Sequence, residues 1–137
     1  MPYLTKQYKF CAAHRYWNPN WSDEKNYQIF GEDVRIHGHN YTLDITISGP
    51  INDESGFIVN LFELNKIVKL HVLDVMDHSQ IQLDIPWFES KQPSTENMVV
   101  FIWEQIVTKI PNPAKLKSIK LRETPTIFTE YFGQEGK

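Results

Sequence analysis

A strict alternation of apolar and polar side chains in residues 41–48 constrains the fold more than any other feature of the chain. The apolar members are Tyr41, Leu43, Ile45 and Ile47, with Thr42, Asp44, Thr46 and Ser48 between them. Because successive side chains of a strand point to opposite faces, this pattern predicts a β-strand with one buried face. His37 and His39 share the parity of the apolar residues, so they continue that face if the strand begins there.

Three more strands and two helices are predicted from the remaining periodicities. Strand patterns cover residues 3–14, where most even positions are apolar, and then residues 119–123 and 126–132. Apolar residues at three- and four-residue steps predict a first helix over residues 61–75. The second helix follows Pro93-Ser94-Thr95-Glu96, which offers a hydroxyl N-cap and an acid in the first turn. Its stripe consists of Met98, Ile102, Ile106 and Ile110, and it ends at Pro111 and Pro113.

The order of these elements, ββααββ, is typical of an α+β fold. It predicts a four-stranded antiparallel sheet with two helices on one face. Residues 16–35, rich in Asn, Asp, Glu and Trp, are predicted to form a long loop. A length of 137 residues with 41% hydrophobic content fits one domain, residues 1–137.

Composition and charge exclude several classes of partner. The formal net charge is -3, which gives no broad basic face, so we expect neither a nucleic-acid partner nor an anionic membrane. No segment approaches the roughly 20 apolar residues of a membrane-spanning helix, and the N-terminus lacks the apolar core of a signal peptide. Cys11 is the only cysteine, which excludes an intrachain disulfide and suits a reducing compartment. The expected location is the cytoplasm.

Three histidines form a candidate metal site. His37 and His39, two positions apart on an extended segment, project to the same side and are able to bind one ion. His14 ends the first predicted strand with matching parity, although an isolated strand-end histidine is the ordinary interpretation of such a position. Three histidines with one open position are typical of a catalytic rather than a structural zinc site.

Asp77, His78 and Glu123 are candidates for proton transfer or ligand binding. A carboxylate beside an imidazole positions it for proton transfer near neutral pH, but adjacent Asp-His pairs also occur on surfaces by chance. Glu123 continues the apolar face of its strand, where a carboxylate is costly unless it is paired. It is either a buried acid able to accept two N–H bonds from a planar heterocycle or a strand-end residue in solvent. Cys11 and His71 are interpreted as packed side chains rather than a nucleophile and a ligand.

Six motifs in a fixed order carry a resemblance to a known family. They are Phe10-Cys11-Ala12-Ala13-His14-Arg15, residues 26–31, His37-Gly38-His39-Asn40-Tyr41, Asp77-His78, Pro93-Ser94-Thr95-Glu96-Asn97 and Glu123-Thr124. Together they resemble the 6-pyruvoyl-tetrahydropterin synthase family of tetrahydrobiopterin synthesis, which includes the bacterial 6-carboxytetrahydropterin synthases of queuosine biosynthesis. The resemblance extends over about residues 8–131.

The resemblance implies a fold, a metal and an assembly. The fold is the tunnelling fold (T-fold), and members typically form homohexamers built from two trimers, with active sites between subunits. The metal is zinc, held by His14, His37 and His39, and it binds the side-chain hydroxyls of 7,8-dihydroneopterin triphosphate.

The same resemblance assigns roles to four further residues. It matches Asp77 and His78 to a proton relay and Glu123 to the anchor of the pterin ring, grouped with that relay. Thr95 matches a residue near the ring.

One departure from the family concerns the catalytic base. The proton-accepting cysteine of the family commonly lies four residues before the His-x-His pair, and here that position holds Asp33. Asp33, or its neighbour Glu32, is therefore the candidate replacement. A smaller departure is Asn60, where aspartate is expected; either residue can cap a helix.

The favoured function is a zinc-dependent lyase that acts on the side chain of a dihydropterin. Dihydroneopterin triphosphate is the favoured substrate. The alternatives are an aldolase-like cleavage of dihydroneopterin with a carboxylate base, and a non-catalytic protein that binds a pterin or a purine. A zinc-stabilised oligomer without a pterin function is disfavoured, because zinc binding alone needs neither Asp77, His78 nor Glu123.

Overall fold

The structure, a computed structural model, describes residues 1–134 of the chain. Five strands and five α-helices are present in that range, with short 3-10 and π-helical turns between them. The strands are β1 (Tyr3–His14), β2 (His37–Ser48), β3 (Ser79–Gln80), β4 (Lys115–Thr124) and β5 (Ile127–Tyr131). The helices are α1 (Asp23–Phe30), α2 (Leu61–Val68), α3 (Asp74–Met76), α4 (Ile81–Asp84) and α5 (Thr95–Ile106).

The sheet has the order β3-β1-β2-β4-β5. β1 pairs antiparallel with β2 along its whole length, from Tyr3 opposite Ser48 to His14 opposite His37, and β4 and β5 continue the antiparallel arrangement. The α+β class is confirmed, as are the four antiparallel strands. The predicted strand count was wrong by one, because β3 adds a parallel pair beside Ala12 and Ala13. A two-residue strand is too short to show a periodicity.

The helices cover one face of the sheet. The apolar side chains of β1, β2 and β4 meet those of α2 and α5 there, and the fully buried ones include Leu43, Ile45, Ile47, Leu64, Met98, Ile102 and Ile119. The opposite face carries polar side chains: Thr5 and Thr46 share a hydrogen bond of 2.7 Å between their hydroxyl oxygens, and Gln7 donates to Asp44. Among the residues described, no helix is long and apolar enough to cross a membrane.

Two predicted boundaries differ from the structure. The segment 16–35 is not a loop, since it contains α1 and a 3-10 turn (Gly31–Val34); only Asn26 of α1 is buried, so an apolar stripe is missing from the sequence. The predicted helix over residues 61–75 is interrupted by a π-helical turn (Lys69–Leu73). Ile110, assigned to the stripe of the second helix, lies beyond the end of α5 but is still buried.

Candidate metal centre

Three histidine rings meet at the end of the β1–β2 pair. His14 and His37 are directly opposite in the register, and His39 follows on the same face. Their ring centroids are 4.5 Å apart for His14–His37, 5.2 Å for His14–His39 and 5.1 Å for His37–His39. One nitrogen from each ring lies within 4.8 Å of the others. The shared face of His37 and His39 and the position of His14 at the end of β1 therefore bring the three rings into one small volume, as expected from the sequence.

Backbone carbonyls fix which nitrogen faces the cluster in two of the three rings. His14 Nδ1 lies 2.7 Å from the carbonyl oxygen of Pro93, and His37 Nδ1 lies 2.8 Å from that of Arg35. Because a carbonyl only accepts, Nδ1 carries the hydrogen in both rings, and Nε2 of the neutral ring keeps a lone pair. Such a contact to the outer nitrogen is the usual support for a metal-ligating histidine.

The buried polar atoms of the cluster fit a bound cation. The Nε2 atoms of His14 and His39 are buried and have no hydrogen-bond partner within residues 1–134. Burial is the largest cause that lowers the pKa of His39, so its ring favours the neutral form that ligates metals. An unpaired buried nitrogen is costly, and a divalent cation among the three rings would satisfy these atoms.

Glu123 projects from β4 into the same cluster. Its Oε1 lies 3.3 Å from His14 Nε2 and 3.2 Å from His39 Nε2, within ion-pair distance but outside hydrogen-bond geometry. The approach of His14 is the largest influence and lowers the pKa of the Glu123 carboxyl, while burial opposes it. With 14% of its side chain exposed, Glu123 continues the buried face rather than turning into solvent. A carboxylate beside the unpaired Nε2 atoms of two imidazoles also favours a cation between them.

Asp33, not Glu32, lies beside the histidines. Asp33 belongs to the 3-10 turn before β2, and its Oδ1 is 3.8 Å from His37 Nε2 with 59% of the side chain exposed. The Asp33 carbonyl accepts a hydrogen bond of 3.0 Å from Tyr16 N, which holds the turn against the strand end. Glu32 is 87% exposed and pairs with Arg35 instead.

Asp77 and His78 lie at the outer edge of β1. Asp77 Oδ1 accepts from Cys11 N at 2.9 Å, and its Oδ2 is 3.0 Å from His78 Nδ1. The hydrogen bond from Cys11 is the largest influence that lowers the pKa of Asp77. His78 adopts a φ of 64°, and its side chain is 81% exposed.

Among residues 1–134, no hydrogen bond or ion pair joins this pair to the metal centre. A cleft of about 350 Å³ is lined by both His39 and His78, yet no hydrogen bond or ion pair links them in the described part of the chain. Within one chain, the imidazole of His78 is therefore free to face another molecule.

Two other predicted side chains have surroundings that the sequence did not show. Thr95, buried at the start of α5, lies within hydrogen-bond distance of Glu96 and Thr129, so the structure gives it protein partners. Cys11 was predicted to be packed, which is wrong: it is exposed and its thiol donates to Asn40 Oδ1. The odd positions of β1 point to the sheet face that has no helices, and Cys11 is one of them. His71 is partly buried in the π-helical turn.

Two tyrosines of the centre were missed by the sequence interpretation. The Tyr16 ring lies 5.0 Å from that of His14, and the Tyr41 ring lies 5.6 Å from that of His39. Burial first, and then the negative charge of Glu123, raises the pKa of both phenols, so both remain protonated. Parity was the available signal, because Tyr16 continues the face of His14 and Tyr41 that of His37 and His39.

Comparisons with known proteins agree on one family. A sequence model described as 6-pyruvoyl tetrahydropterin synthase matches residues 3–134. A 6-pyruvoyl tetrahydrobiopterin synthase from Drosophila melanogaster is 35% identical over 96% of this chain and 79% of its own, and one from Dictyostelium discoideum is 34% identical over 96% of each. The solved structure of Caenorhabditis elegans 6-pyruvoyl tetrahydropterin synthase, 31% identical, superposes with a TM-score of 0.88 over 98% of both chains. The chain therefore belongs to the 6-pyruvoyl tetrahydropterin synthase family.

Proposed function

We propose that this chain is a zinc-dependent lyase acting on the side chain of a dihydropterin, with 7,8-dihydroneopterin triphosphate as the favoured substrate. The observation that carries the proposal is the convergence of three histidines, two of which, His14 and His39, bury an Nε2 atom that has no hydrogen-bond partner among residues 1–134. The names of the relatives support the substrate class, since they are pterin synthases. His14, His37 and His39 would hold the zinc. When bound, zinc would supply a Lewis acid that polarises the oxygens of the substrate side chain.

Asp33 is our candidate for the base that removes a proton from that side chain. Its carboxylate is beside His37 and open to solvent, so a ligand at the histidines would be within its reach. A general base must first lie within hydrogen-bond distance of the proton, and Asp33 meets this condition better than Glu32. Carboxylates are weaker bases than thiolates, so we expect slower turnover than in relatives that keep the cysteine.

Glu123 is proposed to bind the ring edge of the substrate while remaining close to the metal. The two carboxylate oxygens allow both roles, because Oε1 faces the histidine nitrogens and Oε2 is left for the ring. The ionised form is favoured by its surroundings, and it accepts N–H bonds from a planar heterocycle. Thr95 is proposed to lie near the ring.

Asp77 and His78 are proposed to serve a site completed by another subunit. The exposure of His78 and the absence of a contact to its own histidine cluster within residues 1–134 support this arrangement. β5 is a sheet edge with Ile127 and Phe128 exposed, which suits pairing with a second copy. We propose a homohexamer, a dimer of trimers, and light scattering that shows a monomer at micromolar concentration would contradict it.

A retro-aldol cleavage of dihydroneopterin is the second candidate, favoured by the carboxylate of Asp33 at the position of the missing thiol. The test is incubation of the purified zinc form with dihydroneopterin and, separately, with its triphosphate. Loss of triphosphate from the second substrate supports the synthase reaction, and a two-carbon fragment from the first supports the aldolase. Binding of either compound without any change in its mass would indicate a non-catalytic pterin-binding protein.

A further inference from the structure

Tyr16 lies against the metal centre on the side where β1 ends. It follows His14 by two positions and continues the same face. Its ring is 5.0 Å from that of His14 and 6.4 Å from that of His37. Neither the family motifs nor the base-and-relay arrangement proposed above gives this side chain a role.

The orientation of the Tyr16 ring is fixed by packing. It stacks on Phe30 at 5.5 Å with an interplanar angle of 25°, and Phe30 stacks in turn on Trp21 at 5.6 Å. The main-chain hydrogen bond from Tyr16 N to the Asp33 carbonyl ties the backbone of Tyr16 to the turn that carries the candidate base. A side chain held on both sides loses little further entropy when it binds a ligand.

The hydroxyl of Tyr16 is available to a ligand. Within residues 1–134 it has no hydrogen-bond partner, and it is not among the fully enclosed polar atoms. Two other tyrosines differ: the Tyr8 hydroxyl donates to Asn65 at 2.7 Å, and that of Tyr41 is fully buried. Of these three hydroxyls, only that of Tyr16 is both unpaired and reachable.

The groups around Tyr16 are acceptors. Asp33 and Glu123 present carboxylate oxygens, and the histidines present nitrogen lone pairs to the same volume. A side-chain hydroxyl of a pterin both donates and accepts. Zinc on the histidines would take lone pairs of the hydroxyl oxygens that bind it, but Asp33 and Glu123 only accept, so any further hydroxyl oxygen of the side chain would have no protein donor. A phenol O–H supplies that donor.

We infer that Tyr16 contacts the substrate and donates a hydrogen bond to a hydroxyl oxygen of the pterin side chain. The inference rests on the proposed function. It makes Tyr16 a determinant of specificity for the polyhydroxylated side chain, whereas the ring edge is left to Glu123.

The test uses Tyr16→Phe, which keeps the ring packing and the main-chain bond and removes one oxygen. The zinc-loaded protein is titrated with neopterin, which has the trihydroxypropyl side chain, and with pterin, which has none, with fluorescence as the signal. We expect roughly ten-fold weaker binding of neopterin and less than a two-fold change for pterin, the effect of one lost hydrogen bond. Tyr3→Phe, at the exposed far end of β1, is the matched control and should change neither.

The zinc content of the variant is measured in parallel and should equal that of the parent protein. Equal affinity of variant and parent for neopterin, or an equal loss for both ligands, would overturn the inference. Loss of zinc would also overturn it, because Tyr16 would then act only through the metal centre. If the parent protein bound neither ligand, the proposed function itself would fail.

Discussion

The histidines of the metal centre differ in burial and in the strand that carries them, so their substitutions should differ in kind. His37 and His39 lie on one strand and are partly exposed, whereas His14 is completely buried and held by the Pro93 carbonyl. We predict that His37→Ala and His39→Ala each lose most of the zinc while remaining folded, measured by elemental analysis and circular dichroism. His71→Ala, outside the cluster, is the control. Full zinc in both cluster variants would refute the assignment.

Asp33 and Glu32 form a matched pair for testing the base. Both are carboxylates of the same turn, but only Asp33 approaches the histidines. We predict that Asp33→Asn lowers kcat by about 100-fold or more, the range for loss of a general base, and that Glu32→Gln changes it by less than about two-fold. Asp33→Cys should raise the synthase reaction above the parent level, since a thiolate is the stronger base. A normal rate for Asp33→Asn would exclude this role.

Glu123 faces both the metal ligands and the expected ring site, and one substitution separates these roles. Glu123→Gln keeps the shape but replaces one acceptor oxygen by an NH₂ group. For a ring anchor we predict a loss of about 1–3 kcal/mol in pterin affinity with zinc content unchanged. If zinc is lost and the affinity of the remaining loaded protein is normal, Glu123 belongs to the metal rather than to the ring.

At the scale of elements, α2 depends on an N-cap that departs from the family pattern. Asn60 Oδ1 accepts hydrogen bonds from Phe62 N at 2.8 Å and Glu63 N at 3.3 Å. We predict that Asn60→Ala lowers the free energy of unfolding by about 1 kcal/mol, whereas Asn60→Asp keeps it within a few tenths, because both Asn and Asp cap well. Urea unfolding of the two variants is the measurement. An unchanged midpoint for Asn60→Ala would contradict the capping role.

Side-chain parity explains how much of the site could be predicted from the sequence. His37 and His39 share a face with the core of β2, and the end of β1 brings His14 opposite them, so periodicity made the cluster a candidate and the family resemblance assigned all three ligands. The same parity applied to Tyr16 and Tyr41 would have found both phenols. The odd position of Cys11, opposite in parity to the apolar residues of β1, already indicated the polar face, and the prediction of a packed thiol disregarded that signal. Neither α1 nor β3 shows a hydrophobic periodicity in the sequence. The only buried residue of α1 is the polar Asn26, and β3 pairs with β1 through only two residues.

At the scale of the whole molecule, the candidate chemistry lies at two places along β1. The metal centre lies at the end of the helix-covered face, while His78 is held at the outer edge of β1 by the main chain of Cys11. A single copy thus presents a metal centre and an exposed imidazole without joining them among its described residues. An assembly in which each copy serves its neighbour would use both.

Mixed oligomers test this arrangement directly. His39→Ala should inactivate the metal centre and His78→Ala the relay, so each pure variant is expected to have little activity. If a site combines the cluster of one subunit with the relay of another, random assembly of equal amounts leaves about a quarter of the sites with both parts intact, so about a quarter of the parent activity should return. Subunit exchange is verified by native mass spectrometry of differently tagged variants. Verified exchange without recovery would place the whole site within one chain, and recovery would require that the relay acts across a subunit boundary.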